Sequence, residues 1–181
     1  MKKIIALTTI IAVAFSAAAQ FSKATLQAGG LTCSMCSKAV KVALEKVPFV
    51  QAVNVDIKSQ EYSLLFKAGS DIEFDELKKA VEDAGFSVAS LKITGMFGGE
   101  TVEKDKHLII EGKSFHFLNG NSQSLSGEKT LTIVDKNFLS EKAFKKYIAS
   151  SKMECVKTGK AGNCCAKDEI GADTRVYHVI I

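Results

Sequence analysis

The chain has 181 residues, of which 46% are hydrophobic and 24% are charged. This composition excludes intrinsic disorder as the main state and provides enough apolar residues for one large or two small packed domains. Lys and Arg exceed Asp and Glu by only four residues (24 against 20), so the charge does not favour the capture of nucleic acid. With five cysteines, no tryptophan and one proline, the cysteines carry most of the chemical information.

The N-terminal segment has the pattern of a secretory signal peptide. Lys2 and Lys3 precede an apolar run over residues 4–15, and small residues then lead to Ala19. A spanning helix needs roughly 20 apolar residues, and this run is shorter, so cleavage after Ala19 is favoured over a membrane anchor. We therefore expect residues 1–19 to be removed, no membrane attachment afterwards, and a periplasmic or secreted protein whose thiols can become oxidised.

Residues 20–94 are predicted to form one domain with the element order βαββαβ. Apolar and polar residues alternate in four segments, as in half-buried strands, and two further segments have helical spacing. The predicted strands are 23–28, 53–57, 62–66 and 86–93, and the predicted helices are 34–46, with Ser34 as N-cap, and 74–84, preceded by a Ser70/Glu73 capping box. This order predicts a ferredoxin-like α+β fold, with both helices on one face of a four-stranded antiparallel sheet.

Two cysteines lie at the junction of the first strand and the first helix. Cys33 falls in the loop and Cys36 in the opening helical turn, so the two sulfurs can converge on one point. The free N–H groups and the positive end of the helix dipole favour thiolates there, and thiolates select thiophilic ions such as Cu(I), Zn(II) or Hg(II). No other Cys or His lies within residues 20–94, so a four-coordinate structural zinc site would lack two ligands.

The segment Gly30–Cys36, GLTCSMC, and the segment Asp83–Phe86, DAGF, resemble the heavy-metal-associated domain family. That family includes copper chaperones, the metal-binding modules of copper-exporting ATPases and the periplasmic mercury-binding protein. The resemblance covers residues 23–94 only. It implies that Cys33 and Cys36 are the metal ligands and that Phe86 packs near the site.

The resemblance also implies a function without enzymatic activity, in which a bound metal ion is sequestered or passed to a metal-accepting protein. A carboxylate before the first cysteine would favour zinc. Thr32 stands there instead, so Cu(I) is the preferred ion, with Hg(II) or Zn(II) as alternatives. An exposed ion with only two ligands can recruit a second copy, so we expect a monomer or a weak metal-bridged dimer.

Two alternatives come from other functional classes. A dithiol–disulfide oxidoreductase would also place a CxxC pair at a helix N-terminus. Thioredoxin-like enzymes, however, carry a tryptophan beside the cysteines and a proline facing them, whereas this chain has no tryptophan and its Pro48 follows the first helix. The second alternative is an envelope interaction module whose C-terminal domain recognises another protein.

Residues 101–181 are predicted to form a second, mainly β domain, joined to the first by a glycine-rich linker at residues 95–100. The predicted elements are strands at 107–110, 113–118, 130–134 and 174–181, a turn at 120–121 and a helix at 140–148 capped by Ser140. This order is typical of a small OB-like barrel, a fold that does not by itself identify a ligand.

Three further cysteines, Cys155, Cys164 and Cys165, lie in a segment rich in Gly and Lys. For an exported protein, the simpler interpretation is a disulfide from Cys155 to Cys164 or Cys165. The alternative is a second thiol site for a soft metal ion. The three histidines are His107, His116 and His178. They fall in predicted strands and do not have the spacing of metal ligands, so we predict that they are structural.

Overall fold

The computed structural model of the protein describes residues 20–119, 122–149 and 151–181. The predicted signal peptide at residues 1–19 and the predicted turn at 120–121 lie outside the described residues. Within these ranges, no helix has both the length and the apolar character needed to cross a membrane.

The first half has the predicted order of helices and strands. Its elements are β1 (Gln20–Gly29), α1 (Ser34–Glu45), β2 (Val50–Asp56), β3 (Glu61–Phe66), α2 (Phe74–Asp83) and β4 (Ser87–Val102). The four strands are antiparallel in the order β2-β3-β1-β4, and α1 and α2 contact each other beside the sheet. The ferredoxin-like fold of this half is therefore confirmed.

The start of α2 differs from the prediction. Its N-cap position is Glu73, whose side chain makes no capping hydrogen bond. The hydroxyl of Ser70 instead donates to the carbonyl oxygen of Lys67, at 2.7 Å. The predicted capping box is therefore wrong, because the Ser70 side chain closes a local turn that precedes the helix.

The described residues of the second half form four strands and three short helical segments. Its elements are β5 (Lys106–Ile110), β6 (Lys113–Phe117), β7 (Gln123–Ile133), α3 (Glu141–Ile148), α4 (Cys155–Thr158), a 3₁₀ turn (Asn163–Asp168) and β8 (Val176–Ile180). Ser140 caps α3 as predicted, since its hydroxyl oxygen accepts from the Ala143 N–H.

One sheet joins the two halves. Its strand order is β2-β3-β1-β4-β7-β8-β6-β5, with β4 paired to β1 along one edge and to β7 along the other. The OB-like barrel predicted for residues 101–181 is not confirmed, because the described strands of that half extend the first sheet. Residues 95–100, predicted to be a linker, lie inside β4.

The glycines of that segment serve strand pairing. A Cβ atom at Gly95 would lie only 2.7 Å from the carbonyl oxygen of Gln20, so glycine lets β1 approach β4 closely. The register with β7 shifts between Gly98 and Glu100, which marks a β-bulge. The glycine-rich composition of residues 95–100, from which we predicted a linker, therefore reflects a close approach of two backbones and a β-bulge.

A cluster of buried aromatic rings packs the second half against the first. The ring of Phe21 in β1 lies 5.5 Å from Phe74 in α2 and 5.4 Å from Phe115 in β6. The ring of Tyr177 in β8 lies 5.3 Å from Phe74. The two halves thus share one hydrophobic core, and the loop before α1 is attached to a single packed body.

Candidate metal centre

The thiol pair is built into the start of α1. Cys33, in an extended conformation, is the N-cap, and its sulfur accepts a hydrogen bond from the Cys36 N–H at 3.4 Å. The prediction that Ser34 is the cap is wrong, since Ser34 is already the first helical residue. The two Sγ atoms lie 2.8 Å apart and are not bridged, so the sulfurs converge as the sequence predicted.

The surroundings of the pair favour a thiolate. The hydrogen bond from Cys33 is the largest influence that lowers the pKa of the Cys36 thiol below its ordinary value, and bonds from Thr32 contribute in the same direction. The first turn of α1 has no acidic residue. A negative charge at Cys36 therefore meets the positive end of the helix dipole without a neighbouring carboxylate in that turn.

The loop before the pair is held by contacts from the sheet. Gly30 has a φ of 84°, a conformation that glycine adopts without strain. The Leu31 side chain is buried, and its carbonyl oxygen accepts from Gln60 Nε2 at 2.9 Å. The buried Tyr62 hydroxyl donates to the Ser37 carbonyl oxygen in α1, at 3.2 Å. These contacts fix the approach of the chain to both sulfurs.

The access to the two sulfurs differs. Cys33 is exposed and Cys36 is partly buried. Met35, between them in the first turn of α1, is 72% exposed. Phe86 is partly buried and packs against the hydrophobic core. An incoming ligand can therefore reach the pair from the side of Cys33.

The other three cysteines are brought together in the second half. The Sγ atoms of Cys155, Cys164 and Cys165 all lie within 4.8 Å of one another, and those of Cys164 and Cys165 are 3.5 Å apart. Cys155 and Cys165 are fully buried. The sulfurs are close enough for either predicted outcome, a disulfide or a shared ion, and none of them is bridged in this structure.

Two histidines face the same cluster, which the sequence interpretation missed. His107 and His116 are opposite each other in β5 and β6, and each presents a ring nitrogen to Cys155. The signal in the sequence was the pair Glu111–Gly112, the two residues that separate the predicted strands 107–110 and 113–118. In the structure these two residues form a turn, and both have positive φ. Such a turn fixes the hairpin register and therefore places these two histidines side by side.

Burial controls the protonation of this cluster. Desolvation raises the pKa of the Cys155 thiol well above its ordinary value. Desolvation is also the largest cause that lowers the pKa of His116, to about 3, with further contributions from His178 and His107. His116 is therefore neutral at physiological pH. Burial favours the protonated thiol of Cys155, whereas the surroundings of Cys36 favour the thiolate.

Known proteins resemble part of this chain. The family profile of the heavy-metal-associated domain matches residues 25–87. The mercuric transport protein periplasmic component of Serratia marcescens is 38% identical over 86 residues, which cover 48% of this chain and 93% of that protein. The copper chaperone CopZ of Bacillus subtilis is 32% identical over 65 residues, covering 36% of this chain and 93% of that protein.

Among solved structures, oxidized MerP from Ralstonia metallidurans CH34 has 36% sequence identity and a TM-score of 0.34. The similarity covers 39% of this chain and 97% of that one. Each of these similarities accounts for about half of this chain or less.

Proposed function

Because the chain belongs to the heavy-metal-associated domain family, we propose that it binds a thiophilic metal ion at Cys33 and Cys36 and passes it to an acceptor protein. The observation that carries this proposal is the pair of unbridged sulfurs, 2.8 Å apart at the N-terminus of α1. The ion is the cargo of the protein, and no chemical transformation is required of the site. We therefore propose a transport or sequestration function without enzymatic activity.

Transfer would proceed by ligand exchange. Among the described residues, the groups of three or more potential ligands do not include Cys33 or Cys36, so the bound ion has two protein ligands. A thiolate of the acceptor can enter the open coordination position from the exposed side, at Cys33. The ion then leaves as one protein sulfur after the other is replaced, and no step requires the ion to be free in solution.

We propose Cu(I) as the preferred ion. Two thiolates suit a soft cation, and Thr32 supplies no carboxylate that would favour zinc. Hg(II) is the second candidate, because a relative with 38% identity is a mercuric transport protein. That relative is described as periplasmic, which together with the predicted signal peptide supports a periplasmic location for this protein.

Anaerobic titration of the reduced chain with Cu(I), and separately with Hg(II), against a competing chelator tests the site. Cys33→Ser and Cys36→Ser should each lower the affinity by more than about 100-fold, because each removes one of two ligands. Met35→Ala is the matched control, since this exposed residue lies between the cysteines, and it should leave the affinity unchanged.

Full affinity in both serine variants would place the ion elsewhere and refute the proposal. An insulin-reduction assay addresses the oxidoreductase alternative, and we expect no acceleration over the uncatalysed reaction. The ratio of the Cu(I) and Hg(II) affinities then decides between the two ions.

A further inference from the structure

The cluster in the second half combines imidazole and thiol groups around one point. The Cys155 sulfur lies 3.5 Å from His116 Nδ1 and 3.9 Å from His107 Nε2. These three ligand atoms all lie within 4.8 Å of one another, and the same sulfur belongs to the group with Cys164 and Cys165. Cys155 is therefore shared by two groups of potential ligands, one with two histidines and one with two cysteines.

Each histidine also has a carboxylate on its other side. His107 Nδ1 lies 2.6 Å from Asp168, and His116 Nε2 lies 3.3 Å from Asp105. Asp168 accepts a hydrogen bond from a protonated His107 Nδ1, which leaves the lone pair of His107 Nε2 facing Cys155, whereas His116 Nε2 and Asp105 Oδ1 make no hydrogen bond at their distance. Metal-binding histidines commonly have the arrangement seen at His107, in which a carboxylate orients the ring and leaves a lone pair for the ion.

The hydrogen bonds around this centre are incomplete. His116 Nε2 and the facing Asp105 Oδ1 are buried and make no hydrogen bond. An unsatisfied buried polar atom is costly. A cation bound at His116 Nδ1 would fix the ring proton on Nε2, where Asp105 can accept it.

We propose that this cluster is a second metal site, in which His107, His116 and Cys155 bind Zn(II) and one sulfur of the neighbouring Cys164/Cys165 pair moves in to complete a tetrahedron. In a tetrahedral site with Zn–S bonds of about 2.3 Å and Zn–N bonds of about 2.0–2.1 Å, neighbouring N and S ligands are about 3.6 Å apart. The two N–S distances of 3.5 and 3.9 Å bracket this value. Two nitrogen and two sulfur ligands in a tetrahedron are typical of zinc.

The site would be closed and structural. His116, Cys155 and Cys165 are fully buried, so an acceptor protein has no direct access to the ion. The ion would join the β5–β6 hairpin to residues 151–175, a segment whose only helical elements are the four-residue α4 and the 3₁₀ turn. A metal that holds such a segment contributes its binding free energy to folding. This second site therefore differs in role from the exposed Cys33/Cys36 pair.

The test uses the full chain with the double substitution Cys33→Ser/Cys36→Ser, which removes the first site. The reduced protein is titrated with Zn(II) against a competing chelator, and the zinc-loaded form is examined by X-ray absorption. We expect one equivalent of bound zinc, a shell of two imidazole nitrogens and two sulfurs, and a zinc-dependent rise in the unfolding temperature. Failure to bind one equivalent, or a shell lacking either sulfur or imidazole, would overturn the proposal.

Substitutions in the same background identify the ligands. Cys155→Ser and His116→Gln should each lower the zinc affinity by more than about 100-fold. His178→Gln is the matched control, because His178 is equally buried and also pairs with a carboxylate, Asp135 at 2.5 Å, yet is not part of the group around Cys155. Unchanged zinc binding in Cys155→Ser would also contradict the site. If a variant does not fold, the absorption spectrum of the double variant still decides.

Discussion

Asp75 in α2 and Arg175 before β8 are 100 residues apart in the sequence and form a two-point ion pair. Arg175 Nε donates to Asp75 Oδ2 at 2.8 Å, and Nη2 donates to Oδ1 at 3.2 Å. The same guanidinium binds the buried Asp135 at 2.9 Å and lies over the ring of Tyr177, 4.2 Å from its centroid. This contact ties a helix of the metal-binding half to the last strand of the chain.

Asp75→Asn should lower the free energy of unfolding by about 1–2 kcal/mol. The substitution removes one charge of a two-point pair that is only partly exposed, and it leaves Asp135 as the charged partner of Arg175. Urea unfolding of the two proteins measures the difference. The control is Lys79→Gln, which breaks an exposed helical pair with Asp83 and should cost no more than about 0.5 kcal/mol. Equal losses in both variants would contradict the importance of the Arg175 contact.

The pH midpoint for the alkylation of Cys36 should lie below that of an ordinary cysteine. The hydrogen bond from Cys33 favours the thiolate, so Cys36 should react at a lower pH than an ordinary cysteine. Cys33→Ala removes that donor and should move the midpoint upward. Mass spectrometry of the Cys36 peptide after brief iodoacetamide pulses at different pH values provides the measurement. Met35→Ala should leave the midpoint in place, and a midpoint that stays unchanged in Cys33→Ala would refute the assigned cause.

Gly95→Ala should destabilise the protein by about 1–3 kcal/mol. The added Cβ atom would lie 2.7 Å from the Gln20 carbonyl oxygen and 3.1 Å from the Phe21 Cα, so backbone must move. Thermal unfolding monitored by circular dichroism measures the effect. Gly162→Ala is the control, because no atom lies within 4 Å of the corresponding Cβ position, and a change below about 0.5 kcal/mol is expected there. A neutral result at Gly95 would mean that β1 and β4 are not so closely packed.

Tyr62→Phe should lower the stability of the protein without weakening metal binding at Cys33 and Cys36. It removes the hydroxyl that donates to the Ser37 carbonyl oxygen, and should cost about 0.5–1.5 kcal/mol of unfolding free energy. The Cu(I) affinity should change by less than about threefold, because the cap bond between Cys33 and Cys36 does not involve Tyr62. A tenfold or larger loss of affinity would show that this hydroxyl positions the sulfurs.

Local patterns were sufficient for the first half. The alternation in residues 23–28 and 62–66 predicted β1 and β3, and the helical spacing after Cys36 predicted α1, because these signals depend on near neighbours along the chain. The ends of β4 did not follow from local pattern. It continues to Val102 because β7, far along the chain, pairs with its second edge.

The second half shows what local patterns cannot predict. Its strands were found, but the choice between a closed barrel and an extended sheet depends on distant pairings such as the parallel β6–β8 contact. The Cys33/Cys36 pair is recognisable because its spacing is local. The convergence of His107 and His116 on Cys155 depends on a hairpin register and on where a later segment packs, and only the first of these could have been inferred from the sequence.

The double pairing of β4 has a mechanical consequence for the proposed metal transfer. A strand hydrogen-bonded along both edges leaves no hinge between β1, which leads to the thiol pair, and β7. A receptor that binds at β7 would thereby set the direction in which Cys33 and Cys36 face. Docking would then also orient the bound ion, because β4 connects the docking strand to the strand that leads to the thiol pair.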